Sequence, residues 1–315
     1  MKIKKYIKIP IIVVVIIIVI IIISYINHKI CLKKEEKLFR PLGEVVDIYG
    51  NGMSIYIEGT GDKTIVFMSG GGTSSPILDF KSLYSQLSDE YRIVVVEKFG
   101  YGFSDIVDTK RSIDVILHET REALSKVGIN GPYILCPHSM SGIEALYWAQ
   151  QYPEEVDAII GLDMAVPEAY ANYNINKPLL KLSSFAANIG LARCIPNISE
   201  SDAIKYGDLS KEEKDIYKCV FYRRTATKTM LNEVDEIKNN ALIVELGGKV
   251  DIPMLMLCSN GKGTSWNKDE WHNFQYDYIK DNNQAKLVEF NCGHYIHNQG
   301  YKDVAKEIKL YLNEL

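Results

Sequence analysis

The chain has 315 residues, 47% of them hydrophobic and 24% charged, with a formal net charge of −4. That length holds one large α/β domain or two small ones. Residues 1–40 carry nine Lys/Arg against two Asp/Glu, a net of +7, which leaves −11 for residues 41–315. An acidic domain is poorly suited to holding nucleic acid or an anionic surface by charge, so no nucleic-acid partner is expected. Six cysteines, at positions 31, 136, 194, 219, 258 and 292, form neither a disulfide framework nor a zinc spacing.

Lys2, Lys4, Lys5 and Lys8 lead into an almost unbroken apolar run from Ile9 to Ile26. At about 18 residues it is roughly long enough to cross a bilayer as a helix. Pro10 sits near its start, where a helix tolerates proline. Ser24-Tyr25-Ile26-Asn27-His28 offers no small-residue cleavage pattern, and His28-Lys29-Ile30 lacks what lipid attachment at Cys31 would need. Residues 1–40 therefore read as a retained membrane anchor with a basic flank. Lys29, Lys33, Lys34, Lys37 and Arg40 follow the run, so positive charge gives no clear orientation. The short N-terminal segment favours a single-pass cell-membrane protein with its domain extracellular.

Val45–Tyr49 and Ser54–Gly59 read as strands around Gly50-Asn51-Gly52. The strand Thr64–Met68 runs into Ser69-Gly70-Gly71-Gly72-Thr73, where glycines let a backbone approach a ligand closely. No Gly-Lys-Ser/Thr follows, which excludes a phosphate loop. The loop is either flexible filler or one half of an oxyanion hole, with the Gly71 N–H joining that of Met140. Leu78–Leu87 is helical in pattern, and Arg92–Glu97 is a β-branched strand ending in Lys98-Phe99-Gly100-Tyr101-Gly102-Phe103-Ser104. Asp105 stands where a dinucleotide fingerprint needs its third glycine. Ser112–Val127 is a helix stopped by Gly128.

Tyr133–Cys136 is a short apolar run that turns sharply at Pro137-His138-Ser139-Met140-Ser141-Gly142 into a helical stretch. A strand handing a serine to a helix across a tight turn has the layout of a nucleophile elbow, usually G-x-S-x-G. Here Pro137 and Ser141 replace both glycines. Ser139 could equally be an ordinary serine near a helix N-terminus. Val156–Leu162 is the next strand, ending at Asp163. Alternating strands and helices indicate a doubly covered, mostly parallel sheet, with ligands beyond the C-terminal strand ends. Residues 165 to about 250 hold helical stretches and no convincing strand, as a cap over the sheet edge would. Strands return at Pro253–Cys258 and Ala285–Phe290, followed by Asn291-Cys292-Gly293-His294 and a closing helix from Lys302 to Leu312.

The glycine run, Gly100-Tyr101-Gly102-Phe103-Ser104, the serine elbow, the cap and the late Gly293-His294 together resemble the α/β-hydrolase fold family, from about residue 45 to the end. The resemblance implies a Ser–His–Asp serine hydrolase with an acyl-enzyme intermediate and no cofactor. Ser139 would be the nucleophile, and its not being aspartate disfavours dehalogenase and epoxide hydrolase chemistry. His294 would be the base. His28 and His118 lie by the anchor and in a helix, His138 adjoins the nucleophile and should point elsewhere, and His272 falls in an irregular loop. His297 remains as the weaker candidate base; with His294 it lacks the H-E-x-x-H setting of a metal site, so no metal is expected. The acid usually follows the strand that here is Pro253–Cys258, but Ser259-Asn260-Gly261-Lys262-Gly263 has no carboxylate. Asp163 and Asp269 are the alternatives, with Asp163 preferred.

Three functions fit: an esterase for small or medium acyl groups, an aminopeptidase resembling proline iminopeptidases, and a tethered binding module that lost catalysis. The aminopeptidase needs acidic residues near the substrate amine, for which Glu168, Glu200, Glu212 and Glu213 are available. Tyr170, Tyr173, Tyr206, Tyr217 and Tyr222 are candidates to line a pocket.

Overall fold

The computed structural model describes residues 3–315. A 32-residue helix, α1 (Ile3–Lys34), opens the chain, and its Ile12–Lys34 portion, with an 18-residue window of mean hydropathy 2.5, is long and apolar enough to cross a membrane. Eight strands follow in one sheet: β1 (Glu44–Ile48), β2 (Asn51–Glu58), β3 (Thr64–Met68), β4 (Arg92–Glu97), β5 (Tyr133–Pro137), β6 (Val156–Leu162), β7 (Met254–Cys258) and β8 (Ala285–Glu289). Their order is β1-β2-β4-β3-β5-β6-β7-β8. The first two pairings, β1 with β2 and β2 with β4, are antiparallel, and all the others are parallel.

The central strands β3, β5 and β7 are buried at every residue. Parallel strands covered on both faces must be apolar throughout, which is why Thr64–Met68 and Met254–Cys258 read as runs and not as alternations. Cys136 and Cys258 are buried thiols within these strands. One face is covered by α3 (Ile113–Lys126) and α4 (Ser141–Gln151), whose Leu124, Ile143, Leu146 and Trp148 join the core. The other is covered by α2 (Pro76–Tyr84) and by a C-terminal helix with Ile77, Phe80, Leu83, Ile308 and Tyr311.

Between β6 and β7 the chain leaves the sheet and forms only helices: α5 (Glu168–Ala171), α6 (Lys177–Asn188), a short 3₁₀ turn at Leu191–Cys194, α7 (Asp202–Lys205), α8 (Lys211–Arg224) and α9 (Lys228–Leu246). This is the helical cap. Local signals set its breaks. Asn176 caps α6 through the Leu179 N–H, Ser210 and Glu213 form a capping box at α8, and Thr227 caps α9. After β7 come α10 (Lys268–Ile279), then β8, α11 (Ile296–Gln299) and α12 (Tyr301–Glu314). His272 lies in α10 and not in an irregular loop. Asn267 and Glu270 make a capping box there that starts the helix.

A buried ionic cluster fastens the cap to the sheet. Lys98, just past β4, donates to Glu144 of α4 and to Glu233 of α9, each at 2.5 Å, and the Tyr101 hydroxyl donates to Glu233 at 2.7 Å. Burial opposes the charge on Lys98, but the two carboxylates outweigh it and raise its pKa.

Candidate active site

Five loops at the C-terminal ends of parallel strands, those after β3, β5, β6, β7 and β8, converge beneath the cap. The turn after β5 carries the serine. Ser139 has φ +55°, a left-handed conformation that L-residues adopt rarely and that marks a strained position. The turn closes because neighbouring backbones come close. A Cβ on Gly142 would lie 2.2 Å from the Ala165 carbonyl oxygen, so glycine is required at 142 even though the usual second glycine is Ser141. Ser141 has its own use. Its hydroxyl donates to the Met68 carbonyl at 2.7 Å and accepts the His138 N–H at 3.0 Å, tying β3 to the turn. Pro137 occupies the last position of β5, where its missing N–H interrupts least.

Ser139 Oγ is 2.8 Å from His294 Nε2, and His294 Nδ1 is 2.5 Å from Asp163 Oδ2. Asp163 follows β6 with φ +48° and is fully buried. Its other oxygen accepts the Ser259 N–H at 2.6 Å and the Trp271 indole N–H at 2.7 Å. Burial pushes the Asp163 carboxyl up, but the bonds and charge of His294, with those from Ser259 and Trp271, outweigh it and hold the pKa below the ordinary carboxylate value. The loop after β7 and the helix α10 that follows it thus each supply one donor to Asp163. Asp269 lies exposed in the first turn of α10, outside this hydrogen-bonded set. The sequence pattern does not single out Ser259 and Trp271. No local pattern distinguishes an N–H that will face a carboxylate contributed by a strand about a hundred residues earlier.

Gly71 and Met140 line a cavity of about 540 Å³ together with Ser139. Among the described residues, neither backbone N–H donates to a protein acceptor. Both remain available, and that of Met140 precedes the first turn of α4, where free N–H groups favour an anion. The cavity walls come from Tyr170 and Tyr173, from Leu179 and Leu180 of α6, and from Met230, Leu231, Val234 and Ile237 of α9. A smaller recess of about 120 Å³ also reaches Ser139, against Trp266, Trp271 and His294. Neither is lined by a carboxylate. Of the remaining cap tyrosines, Tyr206 is exposed, Tyr217 is buried on Asp79 and Tyr222 lies under Arg193. A further cavity of about 630 Å³, between α5, α9 and α10, includes Glu168 but none of Ser139, His294 and Asp163. Glu200 pairs with Lys218 and Glu213 with Lys81, while Glu212 is exposed.

His138 points away from the Ser139 cavity. Its ring is buried, with Nε2 3.2 Å from the His294 carbonyl, and its pKa lies well below the usual value because of burial and then the charges of His297 and His294. His118 meets the Tyr49 hydroxyl at 2.6 Å on the surface. His297 does not reach Ser139; its Nε2 contacts Asp79 at 2.8 Å.

No protein-family model matches the sequence. YbdG of Bacillus subtilis (strain 168), itself uncharacterized, is 41% identical over 238 residues, covering 74% of this chain and 73% of that protein. A cis-3-alkyl-4-alkyloxetan-2-one decarboxylase of Xanthomonas campestris is 31% identical over 119 residues, 35% of this chain and 39% of that enzyme. Among solved structures, an epoxide hydrolase of Vigna radiata superposes with a TM-score of 0.66 at 16% identity, covering 86% of this chain and 98% of that one. An enol-lactonase of Burkholderia xenovorans LB400 gives 0.64 at 14%, covering 86% and 100%. At such identities these structures speak to the fold alone. The sheet order, the capped strand ends and the structural likenesses agree on the α/β-hydrolase fold, and the chain belongs to one family with YbdG.

Proposed function

We propose that the chain is a membrane-anchored serine hydrolase that cleaves a carboxylic ester through an acyl-enzyme intermediate. The observation that carries this reading is the unbroken hydrogen-bonded line Ser139–His294–Asp163, ending at a cavity. His294 Nε2 takes the Ser139 hydroxyl proton as Oγ attacks the acyl carbon. The oxyanion accepts from the Gly71 and Met140 N–H groups, a contribution of about 3–4 kcal/mol per donor in comparable sites. His294 then protonates the departing alkoxide. A water, deprotonated by the same nitrogen, releases the acid and restores Ser139. Asp163 keeps the imidazole oriented and stabilises its charged form. Residues 1–40 serve as the anchor and 41–315 as the hydrolase domain, with the domain on the outer face.

The apolar lining and the lack of a carboxylate favour an ester over the free amine an aminopeptidase must recognise. The test compares a short nitrophenyl ester with proline nitroanilide on the purified full chain. Ester turnover abolished in Ser139→Ala is expected. Faster release from the anilide would establish the peptidase instead. A folded protein that turns over neither would be the binding module.

A further inference from the structure

The anchor helix is not a free stalk. Among the described residues of α1, Ile21, Ser24, His28, Cys31 and Leu32 are buried or half-buried, spaced three to four apart except at the end, so one stripe of the helix faces protein. Ser24 Oγ donates to the Ile189 carbonyl at 2.8 Å. A Cβ on Gly190 would come within 2.4 Å of His28 Cβ, so helix and cap meet at near backbone contact. Arg193 holds both oxygens of Glu35 at 2.7 Å and reaches His28 Nδ1 at 3.0 Å. Arg223 adds bonds to Glu35 and to the Leu32 carbonyl. A two-pronged Arg–carboxylate contact fixes orientation as well as distance.

This junction sets the depth of the cap. Ser24 belongs to the apolar run, which ends two residues later at Ile26. At about 1.5 Å of rise per residue, the Ile189 end of α6 is held within a few ångströms of the membrane boundary. The surface on both sides of that point is apolar. Leu179, Leu182 and Phe185, three residues apart along α6, are 55%, 62% and 50% exposed, and Ile195 is 52% exposed beyond the 3₁₀ turn. Lys181, exposed, and Lys177, paired with Asp235 at 2.8 Å, lie to one side of the stripe. An exposed apolar stripe with lysines beside it is the form of a helix lying in a membrane interface, and in water it would be an association hazard. The same helix walls the cavity over Ser139, through Leu179 and Leu180.

We propose that this face of α6 and the adjoining Ile195 seat in the bilayer that α1 crosses, and that the Ser139 site draws its ester from that bilayer. The substrate class is then a membrane-resident acyl lipid, not a soluble ester. The inference rests on the serine-hydrolase reading above. An acyl chain passing along α6 meets Leu179, Leu180 and Met140 before the carbonyl reaches Ser139, and stays out of bulk water.

The test uses the full chain in phosphatidylcholine vesicles, with a long-chain monoacylglycerol in the bilayer and a short nitrophenyl ester in solution. Leu182→Asp/Phe185→Asp alters the stripe without touching the cavity lining. Turnover of the bilayer ester should fall by at least about tenfold while the soluble ester stays within about twofold. In parallel, Leu182→Trp should be quenched by brominated phosphatidylcholine. A double variant that keeps the parent's rates on both esters, or an unquenched tryptophan, overturns the inference and leaves the hydrolase reading standing. If the double variant loses both activities, the tryptophan quenching decides. A parent chain that hydrolyses neither ester and takes no fluorophosphonate at Ser139 overturns the hydrolase reading itself.

Discussion

Two aspartate–histidine pairs lie side by side in this molecule, one on each side of His138, whose ring centroid is 4.6 Å from both His294 and His297. Each histidine has one nitrogen on a buried carboxylate, Asp163 at 2.5 Å or Asp79 at 2.8 Å. They differ at the far nitrogen. His294 Nε2 faces a hydroxyl that opens on a cavity, whereas His297 Nδ1 is buried with no hydrogen-bond partner among the described residues and Asp79 also accepts the Tyr217 hydroxyl at 3.1 Å. The second pair links α2, α11 and α8 and is sealed. An Asp–His pair becomes chemistry when its outer nitrogen meets a reachable nucleophile. Without that it is a polar fastener of the core.

The comparison breaks most visibly at the open pair. Ser139→Ala and His294→Ala should each lower ester kcat by at least about 10⁴-fold, and Asp163→Asn by a comparable factor, measured by steady-state kinetics on folded protein. The closed clusters should instead report in stability. Lys98→Met leaves Glu144 and Glu233 buried without their cation, and urea unfolding should show a loss of about 3–5 kcal/mol.

Glu97 sharpens the contrast further. Burial raises its carboxyl to about 7, partly offset by the Phe103 and Ile77 N–H groups. Between the ordinary carboxylate range and that value the folded chain holds a proton the unfolded chain has released. Stability contributed by Glu97 is therefore full at low pH and is lost as pH rises through about 7. Glu97→Gln should flatten the fall in stability between about pH 5 and about pH 8, by up to about 3 kcal/mol. The smallest effect belongs to the sealed pair. Asp79→Asn should cost about 1–3 kcal/mol in stability while kcat per folded molecule stays within about threefold of the parent. A kcat loss matching that of Asp163→Asn would erase the distinction between the pairs.

Much of this architecture was legible in the chain. β3, β4, β6 and β7 announce themselves because strands covered on both faces are continuous apolar runs. Ser139, His294 and Asp163 fall at strand ends, where the fold gathers its ligand-facing loops. What stayed hidden depends on distant partners. The start of α10 rests on two side chains reaching back to the backbone, so the local pattern alone leaves His272 in an irregular loop. Which of Asp163 and Asp269 meets His294 depends on contacts between distant strand ends that no local pattern encodes. The hold of Arg193 on Glu35, 158 residues away, leaves no local trace at either residue.

The most direct measurement is mass mapping of a fluorophosphonate adduct on the full chain, beside His294→Ala and His297→Ala. The account predicts a single adduct at Ser139, formed by the parent and by His297→Ala but not by His294→Ala. A folded parent that takes no adduct, or labelling of Ser139 that survives loss of His294, would contradict it.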